Sequence, residues 1–319
     1  MTQFFSGSSS ELGHVEGMMN FFTKPLLTAI ALVIPMNAYA QDAVVVEPAK
    51  KVAENKVAKT DYIRVTEDEN NVRLQTSVTR YVKDGVNVDL IGAVHIADKQ
   101  YFTDLNTLFT KSEVLLFEMV GGDKMERGKK IEEAKQKDLQ FSILGTIYNT
   151  MQDKLDLAGQ KDHVDYSKEN FVHADLSMEE FQKLQNEKEE SILSFALKNA
   201  QNQAKDTGKP VKQPSMIKLF KALVTGNAHL LKLNIVHTLG QGDDQIAAFA
   251  GKSVIIGDRN AKCLQVMNDQ IASGKKNIGI FYGAAHFPDM EERMFKMGFK
   301  KTNQYWMTAW DIDKEKANK

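Results

Sequence analysis

His95 and His286 each close the same four-residue word, Gly92-Ala93-Val94-His95 and Gly283-Ala284-Ala285-His286, and each word ends an apolar run. A third apolar run, Val114-Leu115-Leu116-Phe117, delivers Glu118. Neutral imidazole is the commonest protein ligand for a metal, and a carboxylate is its frequent companion. Two imidazoles and one carboxylate with open positions make a Lewis-acid site able to lower the pKa of a bound water to about 7, which is a hydrolase constellation. With N and O donors and no thiolate, the pattern permits a divalent manganese, cobalt, zinc or iron ion and does not choose among them. Glu118 at the end of an apolar strand would be costly to bury without a cation or donors nearby, a need that a divalent ion or Arg259 would meet. Each residue also has a plainer reading: a packed strand-end histidine, a sheet-end carboxylate, or, for Arg259, a surface ion pair.

The elements that must position these residues are legible around them. Val86 to Ile91 alternates and then turns apolar, stops at the glycine, and is followed by a helical pattern through Leu105 and Leu108. Asn277 to Tyr282 is again an apolar strand, with a helical segment from Pro288 to Met297 after its histidine. A glycine three residues ahead of the histidine is expected to let the backbone turn tightly and a ligand approach closely. In an open α/β sheet, ligands sit outside the carboxyl ends of the strands, where His95, Glu118 and His286 would all fall. The expected fold class is therefore α/β (α+β): a mixed sheet built from two strand–GxxH–helix halves.

The rest of the chain frames these halves. Tyr62 to Val82 reads as a hairpin of exposed strands flanking the strand that ends at His95. Residues 129–240 carry helical periodicity and are expected to form an all-helical insertion, its apolar faces read as helix-to-helix core or, more sharply, as a substrate-covering lid. Within it, Asp165 to Leu176 is a short extended piece, and Ser177 with Glu180 reads as a capping box. Asp258-Arg259-Asn260 opens a helix with the face Leu264, Met267 and Ile271, ended by Gly274. His163, His173, His229 and His237 are expected to be core or surface histidines, and Cys263 an inert buried thiol. The segment from Phe299 to Ile312 reads as one last strand or two.

Bulk composition is that of a packed globular protein: 319 residues, 42% hydrophobic, 26% charged, formal net charge -1. Near-neutral charge removes the electrostatic reason to expect nucleic acid as a partner. One cysteine cannot form an intrachain disulfide or a thiolate metal cluster. Lys24, the apolar run Pro25 to Ile34 and Ala38-Tyr39-Ala40 are the three parts of a secretory signal peptide over residues 1–40, cleaved near Gln41. Met18 or Met19 fits such a leader better as its start than Met1, placing the preceding residues outside the natural protein. The apolar run is short for a membrane span, which needs about 20 residues, so no stable membrane anchor is expected in the mature chain. Export, to the periplasm, is expected, with residues 41–60 a mobile lead-in and 61–319 one domain.

Taken in order, Gly92-Ala93-Val94-His95 with Tyr101 in the next helix, Leu115-Leu116-Phe117-Glu118, Asp258-Arg259-Asn260 and Gly283-Ala284-Ala285-His286 resemble the TraB/GumN family, which includes the Tiki proteases. The resemblance runs from about Val72 to Trp310, the helical middle matching only in kind. It implies a fold similar to erythromycin esterase and the ChaN haem-binding proteins, and a metal-dependent peptidase supported by manganese or cobalt and acting on peptide or protein substrates. Carried onto this chain, it implies His95, Glu118 and His286 as metal ligands and catalytic residues, with Arg259 stabilising an anion or positioning substrate. A non-catalytic module in which the same histidines hold haem or a peptide is the alternative.

Overall fold

The computed structural model describes residues 60–124, 139–191, 194–195, 216–239 and 253–319; the expected signal peptide and almost all of the lead-in lie outside them. The fold is α/β. Seven strands form one mixed sheet: β1 (Ile63–Glu67), β2 (Asn71–Lys83), β3 (Val86–Ala93), β5 (Val114–Phe117), β7 (Phe171–His173), β8 (Asn277–Gly283) and β9 (Lys300–Asp313). Strands β3, β8, β5 and β7 lie side by side in that order, all parallel. Antiparallel to β3 runs β2, which pairs with β1 through its first half and with β3 through its second, while β9 follows it along its whole length.

The parallel strands are mainly apolar, and β5 wholly so, as suits a sheet covered on both faces. Alternate residues of β5 go to opposite cores: Leu115 and Phe117 to one, Val114 and Leu116 to the other. The first core is covered by α1 (Lys99–Phe109), α2 (Leu139–Leu155) and the pair α5 (Met216–Thr225) and α6 (Ala228–Leu239). The second lies under α7 (Arg259–Ala272) and α8 (Phe287–Lys296), whose Cys263, Leu264, Met267, Phe287, Met290 and Met294 fill it. Burial of these apolar faces is what drives the two layers onto the sheet. Among the described residues, no helix is long and apolar enough to cross a membrane.

Two expectations are corrected, and the open reading of the final segment is resolved. The first hairpin is not exposed: β1 is half-buried, and in β2 Val72, Leu74 and Val78 are buried in one core and Tyr81 in the other, because both faces of the sheet are covered there. The final segment is one strand of 14 residues. The insertion is not all helical either. Its extended piece becomes β7 at the end of the main sheet, and Ala158–Gly159 (β6) pairs with Ile96–Ala97 (β4) just beyond His95. Three-residue and two-residue strands leave no periodic signature, so their pairing is dictated by the strands they join. The capping box at Ser177 opens the helix Met178–Lys188 as expected, Ser177 Oγ accepting from the Glu180 amide and the Glu180 carboxylate from that of Ser177.

Candidate functional site

Each of the four parallel strands ends in a polar residue on the same side of the sheet. β3 is followed by His95, β8 by His286, β5 by Glu118 and β7 by Asp175, while the first residue of α7 is Arg259. The register fixes this convergence, with Ala93 beside Gly283 and Phe117 beside Phe281.

Arg259 is the centre of the charge arrangement. Its Nη2 donates to Glu118 Oε1 and to Asp175 Oδ2, both at 2.6 Å, its Nε donates to Asp175 Oδ1 at 3.0 Å, and its Nη1 reaches the Ile255 carbonyl at 3.3 Å. The surface ion pair is thus not what forms: the Arg259 and Glu118 side chains are each 11% exposed and that of Asp175 is fully buried. Burial alone would lower the Arg259 pKa, but Asp175 and then Glu118 raise it well above its ordinary value. With its donors committed to the two carboxylates and a carbonyl, Arg259 acts here as the fixture of Glu118.

Glu118 accepts on its other oxygen as well, from the Gly283 amide at 2.6 Å. A Cβ at Gly283 would come within 3.4 Å of that oxygen. Its φ of -51° is ordinary and that distance is ordinary van der Waals contact, so neither a turn nor a close approach requires glycine here. Gly92 likewise has no positive φ; a Cβ there would meet the Ser77 carbonyl at 3.1 Å and Thr76 Cβ at 3.3 Å. The expected tight glycine turn is absent at both words. Tyr101 braces the first, donating to the Gly92 carbonyl at 2.7 Å while sharing a hydrogen bond with Thr76.

The two histidines are oriented alike. His286 Nδ1 lies 2.6 Å from Asn260 Oδ1, and Asn260 Nδ2 donates to the His286 carbonyl at 3.0 Å and to Asp289 Oδ2 at 2.7 Å. Both of those acceptors are oxygens without hydrogen, so the amide orientation is chemically forced, and Nδ1 carries the proton. His95 Nδ1 lies 3.2 Å from Gln160 Oε1, and Gln160 Nε2 donates to the Tyr166 hydroxyl at 2.8 Å. Each ring therefore turns its Nε2 away from its amide clamp. That of His286 lies 3.5 Å from Glu118 Oε1.

His95 is exposed, yet enough protein surrounds it for desolvation to lower its pKa from 6.5, against the opposing pull of Glu118. Its electrostatic interactions with Glu118, Arg259 and His286 place it in their neighbourhood. It is a neutral imidazole at physiological pH, with a free acceptor. Two open hollows of about 350 and 360 Å³ lie against Asn268 and Met297 and are not lined by these residues.

Burial by itself would raise the Glu118 carboxyl; Arg259 and then His286 more than reverse this and hold it well below 4.5. A lowered folded-state pKa contributes stability that is present above the ordinary value and lost as pH falls from it toward the folded one. Wild-type unfolding free energy should accordingly decline below pH 4.5 more steeply than that of Glu118→Gln. Chemical denaturation between pH 3 and 7 measures the two slopes, and equal slopes would remove Glu118 from the acid response.

The expected metal ligands His95, Glu118 and His286 converge at one end of the sheet. A spacing of 3.5 Å suits two ligands of one ion, each about 2.1 Å from it. Glu118 Oε1, however, already receives the Arg259 guanidinium, and its Oε2 the Gly283 amide. Among the described residues, no group of three or more His, Cys, Asp or Glu is arranged to hold a metal ion.

Asp175, Gln160 and Asn260 complete the site. Asp175 follows a three-residue strand and Gln160 lies in the one-turn helix Gln160–His163 (α3), so neither carries a local signal. Asn260, inside the Asp258-Arg259-Asn260 word, could have been found. Of the histidines expected to be structural, His173 bonds the Met119 carbonyl, His163 the Gly159 carbonyl, and His229 the Asp313 amide; the His237 side chain lies outside the description. Cys263 is buried and unpaired, with burial pushing its thiol pKa well up. No family model, no curated protein and no solved structure matches the chain.

Proposed function

We propose that this protein is an exported hydrolase acting on peptide or protein substrates, with its reaction centre at the carboxyl ends of β3, β5 and β8. The observation that supports this reading best is the matched pair of histidines after the neighbouring strands β3 and β8, each held through Nδ1 by a side-chain amide, beside a buried Arg259–Glu118 pair. Neutral His95 takes the proton of a water attacking the substrate carbonyl. His286, when protonated at Nε2, has its charge balanced by Glu118 and passes that proton to the departing group. Arg259 and Asp175 keep Glu118 ionised and in place, a positioning task.

Hydrolysis of a fluorogenic peptide library, by protein purified without chelators and assayed with and without manganese, cobalt or zinc, tests the proposal. Cleavage by wild type that falls to background in the His95→Ala plus His286→Ala variant is the expected result. Equal cleavage by both would withdraw the site assignment. Activity that appears only with an added ion would return the metal-centred chemistry expected from the sequence pattern.

A further inference from the structure

We propose that the Tyr148 hydroxyl, supplied by α2 of the insertion, is a hydrogen-bond donor to the substrate in this same site, an inference that rests on the hydrolase reading. The Tyr148 ring meets His95 edge-on, with centroids 5.5 Å apart and planes at 72°, and packs on the core between sheet and insertion. Two contacts on a side chain with two rotatable bonds fix the hydroxyl at little further entropic cost.

Neighbouring tyrosines have their hydroxyls engaged: Tyr101 with the Gly92 carbonyl, Tyr166 with Gln160, Tyr282 with the Ala174 carbonyl. Among the described residues, the Tyr148 hydroxyl has no such partner, and it is not among the fully buried unsatisfied atoms, so it keeps some access to solvent. A tyrosine ring pinned by packing with its polar end free is suited to greet a ligand. Desolvation and the charge of Glu118 push its pKa up to about 12, so the phenol stays protonated and can donate but not act as a base. A donor fixed beside the imidazole that activates water is placed to meet the negative charge growing on the carbonyl oxygen under attack.

Tyr148→Phe keeps the ring and its contact with His95 while removing only the hydroxyl. Steady-state kinetics on the peptide that wild type cleaves best should show kcat lowered about 100-fold with KM within about twofold, because the donor acts on developing charge. The melting temperature should match wild type, which separates donation from a packing role. Unchanged kcat in an active, folded variant would overturn the inference and leave the hydrolase reading standing. A fall in melting temperature with kcat preserved would make Tyr148 a packing residue. No hydrolysis by wild type would overturn both.

Discussion

Replacing Arg259 by methionine should destabilise the protein by about 3–5 kcal/mol, the usual cost of removing one partner from a buried charge pair. Here one guanidinium serves two carboxylates, Glu118 and Asp175, at 2.6 Å each. Its loss leaves two anions in a low-dielectric site with the Gly283 and Leu176 amides as remaining donors. Urea denaturation at pH 7 measures the loss. The same substitution on a Glu118→Gln plus Asp175→Asn background should cost much less, since the stranded charges are then absent, and that cycle separates electrostatics from lost packing. A single Arg259→Met variant within about 0.5 kcal/mol of wild type would mean that the buried cluster is not held by this cation.

The largest effect on activity is expected at His95. Loss of a general base typically lowers turnover by 10²–10⁴-fold, and His95→Ala should fall in that range with its fold intact. The ring is exposed and its removal opens no core. Its lowered pKa also places the acid limb: as a general base His95 works in its neutral form, so the fall of kcat/KM toward acid should set in below pH 6.5, the ring's ordinary value. A wild-type acid limb that lies above pH 6.5, or one that persists unchanged in His95→Ala, would assign the base elsewhere.

The residues that announced the site were those at the ends of long, strongly apolar runs. His95, Glu118 and His286 fall at the expected strand ends because apolar alternation and a following glycine or helix are local signals. The helix that opens at Arg259 was equally plain, and its face Leu264 and Met267 is buried, as the 3.6-residue spacing requires. What the sequence could not carry was adjacency. β8 lies between β3 and β5, although both precede it by well over a hundred residues, and nothing in any of the three runs specifies that order. Asp175 became legible only once β7 joined the sheet, and Gln160 only once β6 paired beside His95. Arg259 as the cation that lets Glu118 be buried is legible in the sequence, whereas its second carboxylate, Asp175, comes from another strand and is not.

The placement of β8 ties activity to completion of the polypeptide. Glu118 and the Gly283 amide that grips it are 165 positions apart, and β9, which seals β2, comes later still. A chain halted or cut before residue 277 would hold one imidazole and one acid with an open gap where the central strand belongs. Such fragments should lack the proposed activity, which would arise only once the closing segment that carries β8 and β9 has joined the sheet.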